Sequence, residues 1–165
     1  MNAKPWEHYF LSGLGSGWLK PAPGTWGTLA SLPLFALLFG NNGTLLMMLC
    51  ATLLITLFGC WLCARSLPRL ADEDPGWIVI DEWAGQWLTL SVCLSLYHSL
   101  ALPFAVAWVW LASFLLFRLF DILKPYPIGP CEHIGAPWWS IMADDLLAGL
   151  MACGVFATIV ITVWT

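Results

Sequence analysis

The stretch Phe117-Arg118-Leu119-Phe120-Asp121-Ile122-Leu123-Lys124-Pro125-Tyr126-Pro127 decides how the chain folds. It closes a long apolar run, and Pro125 and Pro127 stop that helix, because proline lacks the amide hydrogen and its ring collides with the preceding turn. Arg118, Asp121 and Lys124 step by three. At 3.6 residues per turn each is offset by about 60° from the last, so the spacing places all three on one helix face. A charged stripe on so apolar a helix needs partners, and the remainder of the chain shows where they come from.

Of 165 residues, 60% are hydrophobic and only 10% charged, against about 25% charged in an ordinary soluble domain. With a mean hydropathy of +0.80 the composition predicts an integral membrane protein, folded as a single domain over residues 1–165. A net charge of −4 without a basic cluster excludes nucleic acid as a partner, and no obligate protein partner is implied. Glu7 and His8 precede a short, glycine-broken apolar patch that runs into Pro21 and Pro23, a pattern that does not read as a cleavable leader. Cys50, Cys60, Cys63, Cys93 and Cys153 lie inside apolar runs and read as small core residues. The Cys60-x-x-Cys63 spacing lacks the second pair or histidine that a zinc site needs. His8, His98 and His133 are isolated and receive no chemistry.

From the N-terminus, residues 1–25 read as an interfacial lead-in, with Gly24 permitting a turn and Thr25 capping an apolar helix from Trp26 to Phe39. Backbone N–H groups at such a helix start can hold a phosphate, which makes Gly24 and Thr25 candidate phosphate-binding residues; a plain capped turn explains the same residues. That first helix is about 21 Å long at 1.5 Å per residue, short of a bilayer core of about 30 Å, so it is either a tilted span or a partly inserted helix. A second helix covers about 44–66. A third starts near Ile78 and runs to Leu96, a fourth covers about 102–124, and a fifth runs from Ile141 to Val163. The fold expected is an all-α polytopic bundle of four to five apolar helices.

Following the chain back and forth gathers the charged helix ends, together with the loops 67–77 and 125–140, at one membrane face. The opposite turns, 40–44 and 97–103, carry no charge. All six Lys and Arg residues then lie on one side, which the positive-inside rule makes cytoplasmic. The expectation is a multi-pass membrane protein with its charged helix ends at the cytoplasmic face.

Asp81, Glu82, Asp121, Asp144 and Asp145 sit at the ends of three of these helices, where ionisable groups are costly and point to function. Asp81, Glu82, Asp144 and Asp145 read as first-turn residues eased by the helix dipole, whereas Asp121 lies near a C-terminus and requires a cation. An internal ion-pair network with Arg118 and Lys124 is the plain explanation, but it is short of positive charge. Even with Lys20 added, roughly two negative charges remain, which is what one divalent ion supplies. Hard oxygen ligands without histidine or thiolate point to magnesium held by Asp81, Glu82, Asp121, Asp144 and Asp145. Arg118 and Lys124 beside it would clamp a phosphate. Asp81 to Gly85 and Asp145 to Gly149 both read Asp-x-x-Ala-Gly, which sets a small residue beneath each acid and predicts that Asp81 and Asp145 face one pocket.

These pieces, Gly13-Leu-Gly-Ser-Gly17, Ala22-Pro-Gly-Thr25 with Gly27, Asp81-Glu82 with Gly85, Arg118-x-x-Asp121-x-x-Lys124-Pro125-x-Pro127, and Asp144-Asp145 with Ala148-Gly149, resemble the phosphatidylglycerophosphatase A family of bacterial membrane lipid phosphatases. They occur in family order over nearly the whole chain. The resemblance implies magnesium-dependent hydrolysis of the terminal phosphomonoester of phosphatidylglycerophosphate to phosphatidylglycerol and phosphate, with Asp81, Glu82, Arg118, Asp121, Lys124, Asp144 and Asp145 as catalytic residues. Direct attack by water and an aspartyl-phosphate intermediate both fit these residues. Another magnesium-dependent lipid phosphoryl-transfer enzyme would use the same parts, although the long Asp/Gly/Arg signature of the CDP-alcohol transferases is missing. A membrane ion carrier would need polar groups continuing across the bilayer, and here they stop at one level.

Overall fold

The computed structural model of the chain describes residues 4–40, 42–70, 75–131 and 135–164, which form helices and turns without a strand. The helices among them are α1 (Pro5–Leu11), α2 (Pro23–Phe39), α3 (Leu45–Ser66), α4 (Ile80–Ser99), α5 (Ala107–Leu123), α6 (Ile128–Cys131) and α7 (Pro137–Trp164). Tight 3-10 turns occupy Ser16–Trp18 and Leu67–Arg69. Asn41, the acidic run Asp72-Glu73-Asp74 and the pair Glu132-His133 lie outside the described residues. Two stretches, Leu45–Arg69 and Pro137–Trp164, are long and apolar enough to cross a membrane, and Pro23–Phe39 is a shorter apolar helix.

The all-α expectation holds, and α4 is the helix the others surround. It packs against α2, α3, α5 and α7, most extensively against α7. Although it carries Gln86, Thr89 and Ser91, all three are buried. The hydroxyls are tolerated because each turns back onto its own helix, Thr89 Oγ1 donating to the Gly85 carbonyl at 2.8 Å and Ser91 Oγ to that of Trp87 at 2.6 Å. Trp87 donates its indole N–H to the Ser31 carbonyl of α2 at 3.2 Å. Around these groups the core is closed by Phe35, Met48, Trp83, Trp87, Leu90 and Phe156.

The α4–α7 crossing is glycine upon glycine. A Cβ on Gly149 would fall 2.8 Å from the carbonyl oxygen of Gly85, and one on Gly85 would fall 2.6 Å from that of Asp145. Both obstacles are backbone, which cannot rotate away. The Asp-x-x-Ala-Gly repeat is therefore a packing device that draws two helices, and the acids one turn above each glycine, together.

The N-terminal segment, expected as an interfacial lead-in, packs onto the body through Glu7 and Leu11. Glu7 is fully buried, accepting the Lys4 backbone N–H at 2.8 Å, Arg65 Nε at 2.6 Å and Arg69 Nη1 at 3.2 Å. That staples α1 to the end of α3. Leu11 is also fully buried, and its carbonyl accepts the Val79 N–H at 2.9 Å. Gly17 has no room for a side chain against the Trp77 carbonyl, and a Cβ on Gly27 would meet Val79 Cβ at 2.5 Å. Short-range turn signals concealed this, because the partners of Glu7 lie 58 and 62 residues away.

Several boundaries differ from expectation. The second helix, expected over 44–66, starts one residue later, with Thr44 as its cap accepting the Met47 N–H at 3.3 Å. Helix α2 starts at Pro23 with Ala22 at its N-cap, so Thr25 lies inside the first turn and is not the cap; proline at the first helical position is already set at a helical φ. Gly24 is helical too and serves close approach rather than a turn. Residues 125–140 contain α6, and α7 begins at Pro137, so Asp144 and Asp145 lie two turns in, beyond the dipole relief expected for a first turn. Asp81 and Glu82 do occupy the first turn of α4. Lys124, at φ 43°, is the left-handed cap of α5 and leaves the stripe that Arg118 and Asp121 share.

Gly85→Ala is expected to lower the thermal stability of the detergent-solubilised protein by about 1–3 kcal/mol through overpacking. Gly154→Ala, where a Cβ meets nothing within 4 Å, should leave it unchanged or raise it. Scanning calorimetry on both variants checks the pair. The Lys4 N–H first, then Arg65 and Arg69, hold the Glu7 carboxyl below its ordinary value of 4.5. A lowered folded value means that Glu7 adds stability above the unfolded value and loses it as pH falls through the folded one. Melting curves from pH 7 to 3 should therefore fall more steeply below pH 4.5 for the wild type than for Glu7→Gln.

Candidate functional site

The starts of α2 and α4, the end of α5 and the third turn of α7 meet at the acids. The N-terminus of α4 supplies Asp81 and Glu82, the last turns of α5 supply Arg118 and Asp121, α7 supplies Asp144 and Asp145, and the first turn of α2 brings Gly24. One carboxylate oxygen from each of Asp81, Glu82 and Asp145 can be chosen so that the three lie within 4.8 Å of one another. The i to i+4 relation of each aspartate to its glycine sets this up, since the close α4–α7 crossing carries Asp81 and Asp145 inward together.

The other two acids are engaged differently. Asp121 forms a close ion pair with Arg118 three residues before it on the same helix. Asp144 Oδ2 accepts Lys124 Nζ at 2.7 Å, which joins the end of α5 to α7, and Asp144 Oδ1 accepts the Asp145 N–H at 3.0 Å. Of the five acids, then, three converge and two anchor the cations. The left-handed turn at Lys124, where α5 ends, directs its side chain to α7 rather than along α5.

Arg118 is the hub of the polar side. Nη1 lies 3.9 Å from Glu82 Oε1, donates to Thr28 Oγ1 at 3.3 Å and meets Asp121. Thr28 passes its own hydrogen to the Gly24 carbonyl at 2.8 Å. Gly24 has no space for a side chain, since a Cβ would run into Glu82 Oε1 and sit 3.1 Å from Arg118 Nη2. The backbone at the start of α2 thus lies directly against the cluster, with Thr25 in the same turn. Thr28 was missed in the sequence, although it follows Gly24 by four residues and so shares its helix face. Lys20 is exposed and makes no ion pair among the described residues.

Among the described residues, three of the buried polar atoms without a hydrogen-bond partner fall in this cluster, and others, on His8, Ser66, Trp83 and Gln86, lie outside it. Glu82 Oε2, Asp145 Oδ2 and Arg118 Nε are buried without a hydrogen-bond partner among the described residues. Buried carboxylate oxygens are ordinarily paired, because leaving one unmet forfeits its hydration. Two such oxygens on converging acids, with no histidine or thiolate beside them, make a donor set that suits a hard divalent cation. The unpartnered Nε–H belongs to the guanidinium that pairs with Glu82 and Asp121, and a donor of that kind suits an anion.

A family model described as Phosphatidylglycerophosphatase A matches residues 9–160, which takes in every residue of this cluster. Among curated proteins, Phosphatidylglycerophosphatase A of Haemophilus influenzae is 39% identical over 146 residues, covering 88% of this chain and 83% of its own. Phosphatidylglycerophosphatase A of Escherichia coli is 34% identical over 157 residues, covering 93% and 82%. A Bacteroides thetaiotaomicron protein with the provisional name phosphatidylinositol-3-phosphatase is 37% identical over 158 residues, covering 93% and 91%. No solved structure matches the chain.

Crowding three acids in one place stores repulsion. In the presence of a chelator, Asp145→Asn is expected to raise thermal stability by on the order of 1 kcal/mol, by removing one like charge and supplying a donor to its neighbours. A melting temperature at or below that of the wild type under those conditions would show that the acids do not oppose one another.

Proposed function

The chain belongs to the phosphatidylglycerophosphatase A family, the lipid phosphatases of phospholipid biosynthesis, and on that premise we propose magnesium-dependent hydrolysis of the terminal phosphomonoester of phosphatidylglycerophosphate. The products are phosphatidylglycerol and inorganic phosphate. One observation carries the reading: Asp81, Glu82 and Asp145 converge with unpartnered oxygens beside Arg118 and the N-terminus of α2.

In this reading Asp81, Glu82 and Asp145 hold the ion, with Asp121 and Asp144 at its margin, each also fixing a cation. Magnesium bound there supplies positive charge to the phosphoryl oxygens and lowers the pKa of water. Arg118 and the N–H groups around Gly24 and Thr25 take the phosphate, Arg118 by its fork and α2 by its positive end. Thr28 holds the guanidinium in place, and Lys124, steadied by Asp144, adds charge at the rim. By direct attack or by way of an aspartyl-phosphate, the ester P–O bond breaks, the oxygen of water ends on phosphorus, and one of the protons of that water ends on the departing glycerol oxygen.

The same reading places the chain as a multi-pass protein of the bacterial inner membrane with this site at the cytoplasmic face. The apolar lengths of α3 and α7 and the confinement of lysine and arginine to one set of helix ends support it. The name of the Bacteroides relative favours a second reading, a 3-phosphate on an inositol headgroup, which asks the same phosphomonoester chemistry of the same residues.

Phosphate release by the purified full chain in detergent tests both. Phosphatidylglycerophosphate is expected to be cleaved, cleavage to stop with a chelator and resume with magnesium, and Asp145→Asn or Asp121→Asn to cost roughly 100-fold or more in kcat. Magnesium at about 100 times its Kd should also stabilise the wild type by about 2.7 kcal/mol, and this gain should vanish in Asp145→Asn. Cleavage indifferent to the chelator would end the metal reading, and faster cleavage of phosphatidylinositol 3-phosphate would exchange the substrate.

A further inference from the structure

One turn below the acids, on the seam between α4 and α5, lies a polar side chain that the chemistry above does not use. Gln86 follows Glu82 by four residues, so the two share a face of α4, about 6 Å apart along its axis. It is wholly buried. Its Nε2 donates to Ser113 Oγ of α5 at 3.3 Å, and that hydroxyl sends its own hydrogen to the Trp110 carbonyl at 2.9 Å. With the hydrogen committed, Ser113 can only accept, which fixes the amide with Nε2 toward α5 and Oε1 as its other end. Oε1 has no hydrogen-bond partner among the described residues. A buried amide oxygen forfeits its hydration unless a donor reaches it.

Four side chains hold a buried, unpartnered nitrogen or hydroxyl among the described residues: His8, Ser66, Trp83 and Arg118. His8 and Ser66 belong to α1 and the end of α3, and Trp83 turns its nitrogen against Gly13, where a Cβ would come 2.7 Å from it. Arg118 remains. It stands five residues beyond Ser113, about 7.5 Å along α5, and its Nη1 is 3.9 Å from Glu82 Oε1. Side chains on a helix lean toward its N-terminus. Because α4 starts where α5 ends, Gln86 leans up toward Glu82 while Arg118 leans down toward Ser113, and their polar ends approach from opposite directions. Phe117 packs its ring onto Gly85 beside them, where a Cβ would come 2.5 Å from Cε2, which keeps the two helices close at this level.

We propose that one water molecule binds on this seam, accepting the Arg118 Nε–H and donating to Gln86 Oε1 and to the Glu82 carboxylate, and that Gln86 is thereby a positioning residue for Arg118. Neither Gln86 Oε1 nor Arg118 Nε has a protein partner, so the link between them is not direct. One hydrogen accepted and two donated are what a water offers, and buried waters ordinarily make about three bonds to polar groups the protein leaves unmet. A carboxylate has about four lone-pair sites, so the water and an ion can share Glu82. Asp121 and Thr28 already hold Nη1. With Nε held as well, the planar guanidinium cannot turn about its stem, and Nη2 stays beside Gly24, at the start of α2. The consequence for turnover rests on the phosphatase reading; the water site does not.

Magnetic resonance on the full chain in detergent, with isotopic nitrogen at arginine Nε, tests the site without reference to activity. The chain has three arginines, Arg65, Arg69 and Arg118, and Arg118→Lys identifies the signal of the third. The Arg118 Nε–H is expected to exchange slowly with solvent and to show a rotating-frame Overhauser cross-peak to water of dipolar sign. Gln86→Met, which keeps the length and removes the amide, should speed that exchange about tenfold and erase the cross-peak. The Arg65 signal, from the clasp on Glu7, should stay in place, which separates loss of the water from loss of the fold. Where Gln86→Met moves Arg65 too, Ser113→Ala decides, since it keeps Gln86 but releases its Nε2 and should also speed the exchange. A fast-exchanging Arg118 Nε–H in the wild type, the lack of a water cross-peak, or exchange unaltered by both variants overturns the proposal. On phosphatidylglycerophosphate, Gln86→Met should cost about tenfold in kcat/KM in the wild type and less than about twofold in Arg118→Lys, which carries carbon in place of Nε. Equal losses in the two backgrounds refute the positioning role. Should the wild type release no phosphate, the phosphatase reading fails while the resonance experiment still decides the water site.

Discussion

The contact between Gly85 of α4 and Gly149 of α7 governs the rest. Two backbones approach so closely there that even a methyl group on either would strike a carbonyl oxygen. Asp81 and Asp145 ride one turn from these glycines on the same helix faces, so the crossing that packs the bundle also presses two acids together. Helix α4 brings Glu82 with Asp81, and the three-carboxylate group follows without further instruction. Like charges at such separations repel, the more so away from water. What offsets that repulsion is the apolar packing further along α4, where Trp83, Trp87, Leu90 and Leu94 are buried among α2, α3, α5 and α7.

Charge is divided rather than pooled around this crossing. Arg118 is shared among Asp121, Thr28 and Glu82, and Lys124 is held by Asp144, which ties α5 to α2, α4 and α7 while leaving the acids in excess of these two cations. A separate group, Glu7 with Arg65 and Arg69, does comparable work at the end of α3. There the acid is fully compensated and every oxygen is met, and the outcome is a clasp for α1 rather than a site. The two groups thus differ in satisfaction: both Glu7 oxygens are met, whereas Glu82 and Asp145 each keep one oxygen unpartnered among the described residues.

The glycines of the N-terminal segment show how one residue type serves different ends. Gly17 and Gly27 let the segment and α2 lie flat against the strip from Trp77 to Val79. Gly24 does something else, admitting Glu82 and Arg118 to the start of α2. Gly13 clears space for the Trp83 indole.

Composition and spacing alone determined that the chain is helical and apolar, where Pro125 ends α5, and which acids and bases sit near helix ends, because those properties are local: hydropathy, a missing amide hydrogen, a step of three or four along a helix. The paired Asp-x-x-Ala-Gly motifs even foretold that Asp81 and Asp145 would meet. Only the tertiary structure decided how the charges were apportioned, since whether Asp144 meets Lys124 or joins Asp145 turns on a left-handed residue and on a helix that starts four residues earlier than its apolar run suggests. Likewise the burial of Glu7 and the hold of Thr28 on Arg118 join residues far apart in the chain, and a pairing set by how helices pack leaves no trace in the neighbours of either residue.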